Sequence, residues 1–142
     1  MSMMRELYTQ ILMDHYRRPR NRGELENHDL EEHLLNPLCG DEMTVYARFD
    51  GDKVADVKFT GQGCSISQAS ASMMAERLVG KNRKDVHKEV ASFKSMMVGE
   101  EEFPEHEDLA ALKGVIKYPA RVKCAVLAWT ALQNGLEEEG GS

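Results

Sequence analysis

Cysteine is scarce in this 142-residue chain, which has only three, at positions 39, 64 and 124. An odd number of cysteines argues against a disulfide framework, because pairing would leave one thiol over. Positive charge is also in short supply, since 18 Lys and Arg against 24 Asp and Glu give a net charge of −6. A nucleic-acid partner is therefore not expected, because phosphate binding needs clustered positive charge. Because neither a disulfide framework nor a nucleic-acid partner is expected, we interpret the three cysteines in terms of thiol and metal chemistry.

Long apolar runs are missing too. None approaches the roughly 20 residues that a transmembrane helix needs, and residues 1–6 lack the pattern of a signal peptide. We therefore expect a cytoplasmic protein without a membrane partner, in a compartment where thiols stay reduced. The hydrophobic share of 42% is ordinary for a globular protein. The length predicts a single domain over residues 1–142, with 137–142 as a disordered tail.

Hydrophobic periodicity predicts an α+β fold, in which a small antiparallel sheet of about three strands is packed on one side by four to five helices. Ser65 is the predicted N-cap of the second helix, with Gln68 completing a capping box. A short strand is predicted near Leu34 and Leu35. Helices are expected over residues 3–18, from Ser65 up to Gly80, over 82–98, around 109–115 and from Pro119 to Gly135.

A β-hairpin gives the clearest local signal. Apolar residues alternate over 43–49 and again over 55–59, and an Asp-Gly-Asp connection lies between them. Both apolar sets fall on odd numbers, so odd residues should face odd residues across the pair. A continuous ladder that starts at the connection then pairs Val45 with Val57.

Two cysteines come together at the far end of this predicted hairpin. The extended ladder places Cys39 opposite Gly63, one residue from Cys64. Three thiols and the carboxylate of Asp41 form a set of four ligands, of the kind that holds Zn²⁺ tetrahedrally or iron with sulfide. Cys64 also precedes a predicted helix, whose N-terminal N–H groups and dipole favour a thiolate. The two flanking glycines, Gly61 and Gly63, allow a close approach of the backbone.

The third cysteine, Cys124, lies on the last predicted helix. Its neighbours on the same face are the apolar residues Leu127, Ala128 and Ala131, so taken alone it is a small buried side chain. Arg121 lies one turn earlier on that face and could offset the net charge of −2 that three thiolates, one carboxylate and a divalent metal would carry. The five histidines show no metal-ligand spacing and are expected on surfaces or helices.

With these motifs in place, the chain resembles the IscU/NifU N-terminal family of iron–sulfur cluster assembly proteins, and within it the SufU branch. The resemblance covers nearly the whole chain. Lys123 departs from scaffold-type members, which have histidine before the third cysteine, and their Leu-Pro-Pro-Val-Lys chaperone motif is not reproduced. The resemblance rests on Asp14-His15-Tyr16 with Pro19-Arg20-Asn21, on Asn36-Pro37-Leu38-Cys39-Gly40-Asp41, on Gly61-Gln62-Gly63-Cys64-Ser65-Ile66-Ser67, and on Pro119-Ala120-Arg121-Val122-Lys123-Cys124-Ala125.

This resemblance implies a zinc-dependent sulfurtransferase that binds zinc through Cys39, Asp41, Cys64 and Cys124. It further implies that Cys39 accepts persulfide sulfur from a SufS-type cysteine desulfurase, which the protein would stimulate, and that downstream iron–sulfur assembly proteins are further partners. Two alternatives remain open. One is a scaffold that assembles a [2Fe–2S] cluster on the same four residues, and the other is a purely structural zinc module.

Overall fold

The structure is a computed structural model that describes residues 2–37, 40–103 and 108–138. Its centre is a three-stranded antiparallel sheet in the order β1-β2-β3. The strands are β1 (Leu30–Asn36), β2 (Asp41–Asp50) and β3 (Lys53–Gln62). With five helices around this sheet, the predicted α+β fold is confirmed.

The helices follow the predicted order with small shifts at their ends. They are α1 (Ser2–Arg17), α2 (Ser65–Leu78), α3 (Arg83–Met97), a 3₁₀ helix (Asp108–Lys117) and α4 (Pro119–Glu138). Helix α4 runs past Gly135 and takes in Glu137 and Glu138, which were predicted to start the disordered tail. Gly135 does not end the helix because it packs on Leu30 of β1, whose side chain would lie 2.6 Å from an added Cβ.

The predicted register of the β2–β3 hairpin is wrong by two residues. Val45 pairs with Phe59 rather than Val57 for two reasons: Asp50 rather than Phe49 pairs with Lys53 at the connection, and the ladder shifts by one more residue between Arg48 and Phe49. Such an irregularity inserts a residue into one strand and displaces all the pairs beyond it. Beyond the irregularity the two displacements add up to two residues, so odd residues face odd residues as predicted, whereas next to the connection Val54 rather than Ala55 is buried.

The core lies between the sheet and the helices that cover it. Helices α2 and α4 pack on each other, and both contact the sheet. Phe93 of α3 stacks on Trp129 of α4, with ring centroids 4.1 Å apart and planes 10° apart. The Trp129 indole donates a hydrogen bond to Ser70 of α2 at 3.0 Å, which satisfies its polar atom inside the core. This packing fixes where α2 and α4 begin, and so positions the site described below.

No helix in the described part of the chain combines the length and the apolar character that spanning a membrane would take.

Candidate metal centre

Three secondary-structure elements bring potential metal ligands together where they begin. Asp41 is the first residue of β2, Cys64 immediately precedes α2, and Cys124 lies in the second turn of α4. One carboxylate oxygen and the two Sγ atoms all lie within 4.8 Å of one another. Asp41 and Cys124 are buried and Cys64 is half-buried. The predicted site residues 41, 64 and 124 therefore converge, while their role as metal ligands stays a prediction.

Asp41 contacts Cys64 through both of its carboxylate oxygens. Its Oδ1 accepts the backbone N–H of Cys64 at 3.0 Å, and its Oδ2 lies 3.7 Å from the Cys64 Sγ. The observed strand register explains this contact, because Glu42 pairs with Gln62 and one further step sets Asp41 beside Gly63. Sequence reasoning had placed Cys39 in that position, and the two-residue shift of the ladder substitutes Asp41.

The two glycines before Cys64 let β2 and β3 approach as closely as the sequence predicts. A Cβ on Gly61 would lie 2.2 Å from the Glu42 carbonyl oxygen, and Gly61 has a φ of +149°. A Cβ on Gly63 would lie 2.5 Å from both Asp41 Oδ1 and Ser67 Oγ. The space occupied by the Asp41 carboxylate is therefore space that a side chain at position 63 would fill.

Cys64 is itself the N-cap residue of α2, which corrects the predicted capping box. Ser65 is the first helical residue, and no side chain caps the helix. The Ser67 hydroxyl donates to the Cys64 carbonyl at 3.0 Å and lies 3.9 Å from its Sγ. Ser67 had no role in the sequence analysis, although its place one turn into the predicted helix could have suggested one.

Cys124 is fully buried on α4, among the apolar neighbours predicted for it. Its Sγ lies 4.0 Å from the amide nitrogen of Asn36 and 3.8 Å from the Ala120 carbonyl oxygen. Asn36 is a buried polar residue at the end of β1, and sequence reasoning gave it no role. An asparagine three residues before a candidate ligand offered only a weak signal, because asparagine is common in turns.

Arg121 lies at the exposed edge of this site. Its hydrogen bond with Cys124 raises the pKa of the guanidinium, as do the negative charges of Cys64 and Cys124. Arg121 thus lies beside Cys64 and Cys124, as the predicted charge-compensating role requires, whereas Lys123 is exposed.

Cys39, the predicted nucleophile and fourth ligand, lies outside the described residues. The residues around it are close to the site. Asn36 and Asp41 pair across β1 and β2, and the Gly40 N–H donates to the Asn36 carbonyl at 2.9 Å. Gly40 has a φ of +71°, a conformation that suits glycine.

Comparison with known proteins places the chain in a family. A model of the NifU-like N-terminal domain matches residues 7–138. The chain belongs to this family. The zinc-dependent sulfurtransferase SufU of Bacillus subtilis (strain 168) is 47% identical over 139 residues, which cover 96% of this chain and 94% of that protein. The iron–sulfur cluster assembly scaffold protein IscU of Streptococcus pyogenes serotype M1 is 35% identical, covering 100% of this chain and 90% of that protein.

Solved structures of similar proteins have the same fold. The crystal structure of FiSufU from Fervidobacterium islandicum AW-1 aligns with a TM-score of 0.84. That protein is described as a candidate iron–sulfur cluster assembly scaffold protein for the SUF system. It is 39% identical, and the alignment covers 92% of this chain and 97% of that one. The resemblance to the IscU/NifU N-terminal family is thereby confirmed over nearly the full length of both chains.

Proposed function

We propose that this NifU-like protein is a zinc-dependent sulfurtransferase of iron–sulfur cluster assembly, in which Cys39 accepts persulfide sulfur from a SufS-type cysteine desulfurase. The observation that carries the proposal is the convergence of Asp41, Cys64 and Cys124 within 4.8 Å, beside the connection that holds Cys39. The similarity to SufU over 96% of the chain supports the choice of reaction.

The donor set fits zinc. In a tetrahedral site with Zn–S near 2.3 Å and Zn–O near 2.0 Å, neighbouring ligand atoms lie about 3.3–3.8 Å apart. The Cys64 Sγ and Asp41 Oδ2 are 3.7 Å apart, which falls within that range. Cys39 is two residues before Asp41, and two peptide units span at most about 7 Å. Asp41, Cys64 and Cys124 would therefore hold the metal, and Cys39 would complete the set.

When bound, zinc would keep its thiol ligands deprotonated and moderate their reactivity. The protein's own groups also organise the site. The Cys64 N–H orients the Asp41 carboxylate, and Arg121 offsets negative charge at the edge of the site. Asp41, Cys64 and Cys124 would thus stay in place, and the Cys39 thiolate would be the one available to react.

The transfer step is an exchange at sulfur. The Cys39 thiolate attacks the outer sulfur of the desulfurase persulfide, and a new S–S bond forms on Cys39. The S–S bond of the desulfurase breaks, and its cysteine leaves as a thiolate that carries the electron pair. Sulfur moves in the persulfide oxidation state, so no further oxidant or reductant is needed. Removal of the sulfur from its cysteine is how the protein would stimulate the desulfurase.

The setting of this reaction follows from the same proposal. The chain acts as a single domain over residues 1–142, in the cytoplasm, with a pyridoxal-phosphate desulfurase as donor. Downstream iron–sulfur assembly proteins are the recipients of the sulfur. The net charge of −6 gives no support for nucleic acid as a partner.

Substitution of single cysteines tests the proposal. Zinc-loaded Cys39→Ala should retain most of its zinc, because Asp41, Cys64 and Cys124 remain, yet gain no sulfur when incubated with desulfurase and cysteine. Zinc is measured by elemental analysis, and the sulfur atom added to the intact protein is measured by mass spectrometry. Cys124→Ala is the matched control, and it should lose more zinc than Cys39→Ala, because it removes one of the three ligands that strand pairing and helix packing would hold in place. Normal sulfur uptake by Cys39→Ala would refute the assignment of Cys39.

A second candidate function is a scaffold that builds a [2Fe–2S] cluster on the same residues. The 35% identity to an IscU scaffold over the whole chain favours it, and thiolates bind iron as well as zinc. Aerobically purified protein separates the two functions. Colourless protein with about one zinc per chain supports the sulfurtransferase, whereas brown protein that contains iron and sulfide supports the scaffold.

A further inference from the structure

A second group of potential metal ligands lies on three other elements. The His15 Nε2 atom of α1 is 2.6 Å from Oδ2 of Asp108, on the 3₁₀ helix, and 4.0 Å from Oε1 of Glu76, on α2. One nitrogen and two carboxylate oxygens thus lie within 4.8 Å of one another. We propose that His15, Glu76 and Asp108 form a second divalent-cation site, which shares no residue with the thiol centre.

The His15 ring is held between two hydrogen-bond partners, Ser72 at Nδ1 and Asp108 at Nε2, and a metal ion would replace the contact at Nε2. The residue is only 1% exposed, and its Nδ1 is 2.8 Å from the Ser72 Oγ. A histidine that binds metal through Nε2 donates its Nδ1–H to an outer partner, which fixes the tautomer. Ser72 Oγ can accept that proton and also the backbone N–H of Arg20 at 2.8 Å, since a hydroxyl has two acceptor lone pairs.

The charges around the cluster favour a cation. Glu76 and Asp108 are about half-exposed carboxylates that face one imidazole. Arg20 lies 3.9 Å from Glu76 and 2.7 Å from Asp14, which Arg18 also contacts, so Arg20 offsets only part of the Glu76 charge. The pairing of Asp14 with Arg20 and Arg18 lowers the pKa of the Asp14 carboxyl.

The nearest remaining cation has its own close partner. Arg77 lines the cavity beside the cluster, and its Nε donates to Glu89 at 2.6 Å. Among the described residues, Glu76 and Asp108 together thus carry more negative charge than Arg20 offsets, and a metal ion or a proton would balance the excess. Three ligands from three elements, with one ring already oriented, favour the metal ion.

The ligand types define the class of metal. Imidazole nitrogen with two carboxylate oxygens suits Mn²⁺, Fe²⁺ or Zn²⁺, whereas the thiols of the first site select softer metal ions. A cavity of about 300 Å³, lined by Met73, Glu76, Arg77, Asp108 and Leu109, opens beside the cluster. It leaves room for water molecules to complete the coordination.

The same residues resemble a serine hydrolase triad in composition, but the burial excludes that chemistry. Ser72 has no exposed surface and lies inside α2. Its Oγ also receives the Arg20 N–H, so a substrate carbonyl has neither access to the hydroxyl nor a position in front of it. The Ser72 hydroxyl therefore serves to hold the His15 ring.

Titration with Mn²⁺ tests the proposal independently of sulfur transfer. Mn²⁺ is added to the full-length protein loaded with a single equivalent of zinc, so that the thiol site is filled; Mn²⁺ competes poorly for that site because it is the weakest binder of the divalent series. The loss of the free Mn²⁺ electron paramagnetic resonance signal should report about one bound ion. Paramagnetic broadening in the NMR spectrum should fall on the ring of His15 and spare His28, where the carboxylate of Glu31 lies 3.2 Å away.

Single substitutions assign the ligands. Glu76→Gln and Asp108→Asn should each weaken Mn²⁺ binding about tenfold or more, since partner substitutions at metal sites cost 10- to 100-fold. Glu76 is half-exposed, so this variant should fold. Glu26→Gln removes an exposed carboxylate elsewhere and should bind Mn²⁺ like the parent protein. Absence of Mn²⁺ binding, binding that is indifferent to both substitutions, or broadening centred on His28 would overturn the proposal.

Discussion

Replacement of Gly63 by alanine should weaken zinc binding without unfolding the protein. The added Cβ would lie 2.5 Å from Asp41 Oδ1 and 2.5 Å from Ser67 Oγ. Ordinary contacts begin at 3.4 Å, so the carboxylate must retreat by about 0.9 Å. Asp41 and Ser67 are both only 1% exposed, and neither can swing out into solvent. The backbone at Gly63 does not have a positive φ, so the effect comes from contact rather than strain.

The size of this effect follows from the hydrogen bond that is lost. The Cys64 N–H donates to Asp41 Oδ1 at 3.0 Å, and a hydrogen bond to a charged group contributes about 1.5–3 kcal/mol. At about 1.4 kcal/mol for each factor of ten, zinc should bind roughly 10- to 100-fold more weakly. Competition with a chromogenic chelator measures this affinity directly.

Two other glycines provide controls for the Gly63→Ala experiment. Gly114→Ala adds a Cβ with no atom within 4 Å, so both affinity and stability should match the parent protein. Gly135→Ala pushes on Leu30 at 2.6 Å and should lower the melting temperature without changing the zinc affinity of the folded protein. If Gly63→Ala binds zinc within about threefold of the parent, a range below the cost of one such hydrogen bond, the carboxylate is not a ligand in the way proposed.

Two further predictions concern charge. Arg121→Ala removes the cation beside Cys64 and Cys124 that would offset the negative charge of a zinc–thiolate site, so zinc should be lost at a higher pH than in the exposed-lysine control Lys123→Ala. Equal zinc retention across a pH series would contradict this role. Arg20 and Arg18 lower the pKa of Asp14 below 3.8, so its carboxylate stabilises the fold above that pH and stops doing so as the pH falls through the lowered value. Asp14→Asn should therefore reduce urea stability at neutral pH, and the difference should shrink below pH 3.8; a difference independent of pH would refute it.

The sequence predicts faces better than registers. Alternation identified the buried side of β2, where Met43 and Val45 have no exposed surface. It could not detect the irregularity between Arg48 and Phe49, because a shift of two residues leaves the same side chains on the same face. That shift decided which residue meets Gly63, and so which ligand contacts Cys64.

Long-range polar partners are beyond the reach of local patterns. His15 is 57 residues from Ser72 and 93 from Asp108, so no spacing rule could have joined them. The Asn36–Cys124 contact spans 88 residues. In both cases helix packing, rather than any motif, creates the neighbourhood. The convergence of Asp41 with Cys124 likewise depends on how α4 packs against β1 and β2.

Asn36 contacts both Cys124 and the connection that holds position 39. Its buried side-chain amide points to the Cys124 Sγ at 4.0 Å, while its carbonyl accepts the Gly40 N–H at 2.9 Å and so closes the chain on both sides of position 39. A thiol that must leave its neighbours to attack a persulfide needs a connection that can change without disturbing the other ligands. Asp41, Cys64 and Cys124 meet this need because strand pairing and helix packing hold each of them, whereas the connection is tied at its ends. Under the proposed function, a site built in this way would release the Cys39 thiol to a partner and keep three ligands in place. A purely structural zinc module would instead keep all four ligands bound.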